Sequence, residues 1–298
     1  MAKRTLASVV CVLLLAACGA EKPARERPGQ ERPARERPAQ ERPAAGDHKL
    51  TLDVGGKQRT VLLHAPPGYS GDRPVPLVVA LHFFPGSGAD LRDMIGMDAK
   101  ADEHGFLVAY PDGVAGGFNA LVCCGAEDDV AFLRALTDRL IADWRVDPAR
   151  VYATGISNGA DMSFRLAVEA SGVFAAIGAV SGGLGGPRAE APGFRPARPV
   201  SVLTVIGGLD RYYETFQAGL TMWRKRLGCV PVRTPPPGAK GVHRSRARCA
   251  DGSDLDVYVV DDMGHSWPGA RSGPMAVDAP ITATDLRWDF FAAHPRAG

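Results

Sequence analysis

The chain has 298 residues, with 35 Lys and Arg against 33 Asp and Glu, a formal charge of +2 and 45% hydrophobic residues. Near-neutrality argues against a nucleic-acid partner, which requires a concentrated basic surface. The apolar fraction excludes a chain disordered throughout and suffices for a sizeable core.

Lys3 and Arg4 precede an apolar run over 6–17, the order of a secretory signal peptide and too short for a permanent membrane span. The run closes on Leu15-Ala16-Ala17-Cys18, which resembles the bacterial lipobox. That resemblance implies lipidation of Cys18 and an extracytoplasmic lipoprotein, at the cell surface or in the periplasm, held to the membrane by acyl chains. Residues 18–45 then repeat a pentad, from Ala24-Arg25-Glu26-Arg27-Pro28 to Ala39-Gln40-Glu41-Arg42-Pro43. With no aliphatic side chain larger than Ala and a proline every fifth position, the segment is expected to be a disordered, extended spacer. Its seven basic and five acidic residues, with Lys3 and Arg4, more than account for the positive charge, so the remainder is slightly acidic. Residues 46–298 are thus expected to form the folded domain, of a size suited to a single α/β unit.

Alternating segments over 49–54 and 58–64 predict an antiparallel pair joined through Gly55-Gly56. Continuous apolar runs at 77–81 and 106–110 predict strands buried on both faces, with a helix over 89–104 between them. Residues 129–144 carry Val130, Phe132, Leu133, Leu136, Leu140 and Ile141, a helical stripe with an acidic start. A strand at 151–155 leads directly into a helix over 158–170. Further strands are expected at 174–180, 200–206 and 256–260, with helices over 212–226 and 284–292. Strands alternating with helices predict an α/β fold, a mostly parallel central sheet with antiparallel N-terminal strands and helices on both faces.

Gly155-Ile156-Ser157-Asn158-Gly159 is a G-x-S-x-G pentapeptide at a strand-to-helix junction, where a sharp turn lifts a serine hydroxyl above the sheet. The helix that follows directs its free N–H groups at the site, where they can stabilise negative charge. A serine hydroxyl is a weak nucleophile and needs an imidazole to take its proton and a carboxylate to orient that imidazole. In chain order, Asp210 follows a strand end and His265 follows the last strand, in Gly264-His265-Ser266-Trp267-Pro268-Gly269. Asp261 and Asp262 are rivals for the acid.

Tyr110-Pro111-Asp112-Gly113, Phe118-Asn119-Ala120 with Cys123-Cys124-Gly125, Asp128-Asp129-Val130, the Ser157 segment and the His265 segment occur in one order over most of residues 50–293. Together they resemble the polyhydroxybutyrate depolymerase and feruloyl esterase family of secreted α/β-hydrolases, which is carbohydrate esterase family one-like. The resemblance implies the α/β-hydrolase fold and a serine esterase with Ser157 as nucleophile, His265 as general base and acid, and Asp210 as orienting acid. It also implies an oxyanion hole formed by the backbone N–H groups of Asn158 and Phe84. The chain departs from that pattern at His82-Phe83-Phe84-Pro85-Gly86, where relatives carry glycine after the histidine, and at Ile206-Gly207-Gly208. Glycine permits backbone geometries that Phe83 resists. Loss of one oxyanion donor costs about 3 kcal/mol of transition-state stabilisation, so reduced activity or an altered substrate is expected.

Four cysteines follow Cys18. Cys229 and Cys249 bracket a loop with no strong periodicity and are the first choice for a disulfide; adjacent Cys123 and Cys124 form either a vicinal bridge or two thiols. Asn119, Tyr212 and Trp267 are candidates for substrate contact, with turn capping or core packing as the alternative. The basic residues over 225–248 read as a solvated excursion, and Gly182–Gly186 as a flexible loop. No cofactor and no metal is implied, since no Cys or His partners stand at ligand spacing. The combined reading is a monomeric, lipid-anchored serine esterase acting on a small or polymeric ester: a polyhydroxyalkanoate or hydroxyacid ester, or a feruloyl or acetyl ester of polysaccharide. Its rivals are a catalytically impaired hydrolase-fold binding protein at the cell surface and a serine peptidase on the same fold.

Overall fold

The computed structural model describes residues 43–270 and 272–297. The expected signal peptide, Cys18 and nearly all of the expected spacer lie outside the described residues. The chain opens with β1 (Gly46–Val54) and β2 (Lys57–Ala65), an antiparallel hairpin with Val54 opposite Lys57. Next come β3 (Val75–Leu81), α1 (Gly88–Ile95), α2 (Met97–His104), β4 (Leu107–Pro111), α3 (Asp129–Trp144) and β5 (Val146–Ile156). They are followed by α4 (Asn158–Glu169), β6 (Ala176–Val180), α5 (Gly186–Glu190), β7 (Ser201–Gly207) and α6 (Tyr213–Leu227). The remaining elements are β8 (Val230–Val232), β9 (Val242–Arg248), β10 (Asp254–Val260), the two-residue strands β11 (Trp267–Pro268) and β12 (Ala276–Val277), and α7 (Ala283–Ala293).

Ten strands form one sheet in the order β1-β2-β4-β3-β5-β6-β7-β10-β9-β8. The six from β4 to β10 run parallel and the hairpin at one edge is antiparallel, as expected from the sequence. The alternation of side chains along β3 divides the core. Leu77, Val79 and Leu81 join the face covered by α3, α4 and α6, through residues such as Phe132, Phe164 and Trp223. Val78 and Ala80 join the opposite face, covered by α1, α2 and α7 through Leu91, Met97 and Phe291. Both faces are buried, which is why these strands are apolar without interruption. Among the described residues no helix is long and apolar enough to cross a membrane.

Three expectations need correction. The single helix over 89–104 is two, because Gly96 adopts φ 62° and ends α1 before α2 starts. The basic excursion is not a solvated loop: β8 and β9 extend the sheet antiparallel to β10. There Arg246 lies opposite Asp256 and Arg248 opposite Asp254 in register, and Arg244 bonds Asp256 at 2.6 Å, so carboxylates on β10 neutralise the arginines of β9. The glycine-rich loop after β6 is shorter than expected and passes into α5 at Gly186.

Candidate active site

The site is built where β5 turns into α4. Ser157 occupies φ 56°, ψ −122°, the left-handed half of backbone space that a side chain rarely adopts. The turn is held from both sides: the Ser157 N–H donates to the Val180 carbonyl at 3.0 Å, and the Ser157 carbonyl accepts from the N–H groups of Ala160 and Asp161. The two glycines of the pentapeptide have steric causes. A Cβ on Gly155 would strike the Gly159 backbone, and one on Gly159 would strike the Leu81 carbonyl, so the turn packs directly on the end of β3. Asn158 opens α4, so its N–H has no intrahelical carbonyl to meet.

His265 follows β10, and its Nδ1 lies 2.8 Å from Oδ2 of Asp210. That hydrogen bond assigns the proton to Nδ1 and leaves Nε2 as the basic nitrogen. The Asp210 side chain is fully buried and also accepts the Tyr212 N–H at 3.0 Å. Burial acts to raise the Asp210 pKa, but the hydrogen bonds from His265 and Tyr212 outweigh it and hold the carboxyl below its ordinary value. Of the rival acids, Asp261 pairs with His243 and Asp262 is exposed.

Ser157 and His265 line one open cleft, together with Asn158, Ser181, Tyr212 and Phe216. The Tyr212 ring meets His265 edge-on at 5.6 Å. Cys123, bonded to Cys124, also lines the cleft. Its loop is tied to α4 by the Asn158 side chain, whose Oδ1 accepts the Phe118 N–H at 2.8 Å and whose Nδ2 donates to the Phe118 and Cys123 carbonyls at 3.0 Å each.

Other candidates sit elsewhere. Asn119 does not line the cleft; its side chain donates to the Glu127 carbonyl and its N–H to Asp129 at 2.6 Å. Trp267 is fully buried, bonded to Thr284 and covered by the Arg287 guanidinium. Phe84 is 43% exposed and outside the cleft lining. Phe83 is buried in the core beneath α1 and is not among the residues with positive φ, so this position does not call for glycine. His82 fixes the start of the loop: its Nδ1–H donates to the Phe83 carbonyl at 2.7 Å and its Nε2 accepts the Gly113 N–H at 2.9 Å. Burial lowers the His82 pKa, consistent with the neutral ring this pairing requires. Cys229 and Cys249 are bonded, across 20 residues.

The acidic residue of the cleft escaped the sequence reading. Asp161 stands four residues after Ser157, on the same face of α4, and its Oδ1 accepts the Gly183 N–H at 2.8 Å. Burial pushes its carboxyl up to about 7, against the opposing pull of that hydrogen bond and of His265. The i, i+4 spacing was the available signal.

The chain is similar in sequence and fold to known proteins. Residues 60–191 match the family model "Esterase PHB depolymerase". The chain is 32% identical over 282 residues to "Putative esterase NocK" of Nocardia uniformis subsp. tsuyamanensis, covering 80% of each chain. It is 27% identical over 249 residues to feruloyl esterase C of Emericella nidulans, covering 79% of this chain and 84% of the relative. In fold it resembles the acetyl xylan esterase from Aspergillus awamori, with a TM-score of 0.63 at 17% identity over 83% of this chain and 99% of that one. With the sheet order and the strand-turn-helix at Ser157, these relationships mean that the chain belongs to the PHB depolymerase esterase family of α/β-hydrolases, enzymes of carboxylic ester bonds.

Proposed function

We propose that the protein is a lipid-anchored, extracytoplasmic serine esterase working through Ser157, His265 and Asp210. The observation that carries this reading is the hydrogen bond from His265 Nδ1 to buried Asp210, on a cleft shared with a serine in a left-handed turn. Nε2 of His265 takes the Ser157 proton as Oγ attacks the ester carbonyl. The tetrahedral oxyanion is held by the Asn158 N–H and, as the second donor, the Phe84 N–H. Collapse breaks the bond to the alcohol oxygen, which leaves with the proton from His265. Water, deprotonated by His265, then releases the acyl group as a carboxylic acid and restores Ser157. Supporting the substrate class are relatives named for feruloyl and acetyl xylan ester cleavage and a family model described by PHB depolymerase. The candidates are thus feruloyl or acetyl esters of polysaccharide and hydroxyalkanoate esters. Tyr212, the candidate substrate residue on the cleft, is assigned to contact them.

The testing experiment is a panel of p-nitrophenyl acetate through longer acyl chains, methyl ferulate, hydroxybutyrate oligomers and peptide amides. Ester turnover lost in Ser157→Ala is expected; amide turnover exceeding ester turnover would favour a peptidase instead. Lipid anchoring through Cys18 is supported by the lipobox-like segment. It is tested by detergent partition of the full chain, which Cys18→Ala should shift to the aqueous phase.

A further inference from the structure

Among the described residues four aspartates are buried: Asp129, Asp210, Asp254 and Asp256. Each has a cationic or imidazole partner: Arg59 at 2.6 Å, His265 at 2.8 Å, Arg248 at 3.0 Å and Arg244 at 2.6 Å respectively. Asp161 breaks this pattern. It is partly buried, it lines the catalytic cleft, and no Lys or Arg pairs with it among the described residues. Its Oδ1 accepts the Gly183 N–H, while among the described residues no hydrogen bond is formed at Oδ2. A carboxyl opposed in its burial only by the Gly183 N–H and the pull of His265 is unfavourable in its charged form, as its raised pKa reflects.

The surroundings specify what would relieve that cost. Tyr212 and Phe216 bring two aromatic rings to the same cleft, and Leu184 adds apolar surface. Aromatic faces together with a carboxylate are the combination that recognises an ammonium group, through cation–π attraction and charge pairing in a desolvated site. A neutral hydroxyl would fill the hydrogen bond at Oδ2 but leave the charge uncompensated.

We propose that Asp161 is a specificity-determining residue and that the cleft takes esters carrying a cationic amine, whose ammonium group pairs with Asp161 in the cleft that Tyr212 and Phe216 also line. The inference rests on the serine esterase reading above and narrows its substrate class.

Two isosteric ester pairs test it on the full chain by pH-stat titration at pH 8: acetylcholine against 3,3-dimethylbutyl acetate, and methyl 6-aminohexanoate against methyl heptanoate. They place the charge on the alcohol and acyl sides respectively. The readout is the ratio of kcat/KM for the cationic over the neutral member. In the wild type at least one ratio should reach about tenfold, the effect of a pairing near 1.4 kcal/mol. In Asp161→Asn that ratio should fall to about one, whereas Asp161→Glu should keep a ratio above one. The wild-type ratios need no variant to fold. Ratios near one in both pairs, with Ser157-dependent turnover of the neutral esters, would overturn this inference and leave the esterase reading intact. Absence of Ser157-dependent turnover of any ester would overturn both.

Discussion

Two carboxyl groups act on His265, and their surroundings drive them in opposite directions. Asp210 is held ionised by the hydrogen bonds it accepts, which suits the orientation of an imidazole and the stabilisation of its charged form during turnover. Asp210→Asn should therefore lower kcat by about four orders of magnitude, because the amide no longer enforces the tautomer that leaves Nε2 basic. This is read by steady-state ester hydrolysis. Asp161 behaves oppositely. With a folded pKa raised to about 7 from an ordinary 3.8, the folded state binds more protons than the unfolded state between those values. Stability therefore falls as pH rises through that window, and above pH 7 the full cost, on the order of 4 kcal/mol, is present. Asp161→Asn should be the more stable protein at pH 8, by about 2 kcal/mol or more in urea denaturation, with the gain shrinking toward pH 4. A carboxyl with a raised pKa that lines a cleft is a candidate functional group.

At the scale of elements, the strand-turn-helix from β5 to α4 sets Ser157 in place, and its tolerances are backbone contacts. Gly159→Ala would drive a methyl group into the Leu81 carbonyl and displace the serine. The expected loss is about a hundredfold or more in kcat/KM, with the secondary structure seen by circular dichroism retained. The Asn158 side chain is the second fixture, since it clamps the loop of Phe118 and Cys123 to the helix. Asn158→Ala leaves the Phe118 N–H buried without that partner, and denaturation should report about 1–3 kcal/mol of lost stability. Much of this level was legible in the sequence, because uninterrupted apolar runs and helical stripes record which faces are buried. The helix α3 occupies 129–144, as its stripe implied, and the hairpin turns at Gly55-Gly56. What was illegible depends on partners distant in the chain. The strands β8 and β9 read as loop because their arginines look solvated until Asp254 and Asp256 on β10 stand beside them. Asp161 drew no reading: its spacing from Ser157 is visible in the sequence, but the fold of the loop after β6 over it is not.

For the molecule as a whole, one crosslink ties the sheet edge that carries the basic strands. The Cys229–Cys249 bond closes 20 residues around β8 and β9, and a loop of that length contributes about 3 kcal/mol by restricting the unfolded chain. Replacing both cysteines with serine should lower the Tm by roughly 6–12 °C for a domain of this size, measured calorimetrically. Ester hydrolysis by this chain requires Ser157 to be an activated nucleophile, and covalent labelling tests that most directly. Incubation of the full chain with a fluorophosphonate probe, followed by peptide mass spectrometry, should place one adduct on Ser157. Ser157→Ala should give none, and Asp210→Asn should label far more slowly than the wild type. A wild-type protein that folds yet takes up no probe at Ser157, or labels equally after Ser157→Ala, would contradict the account.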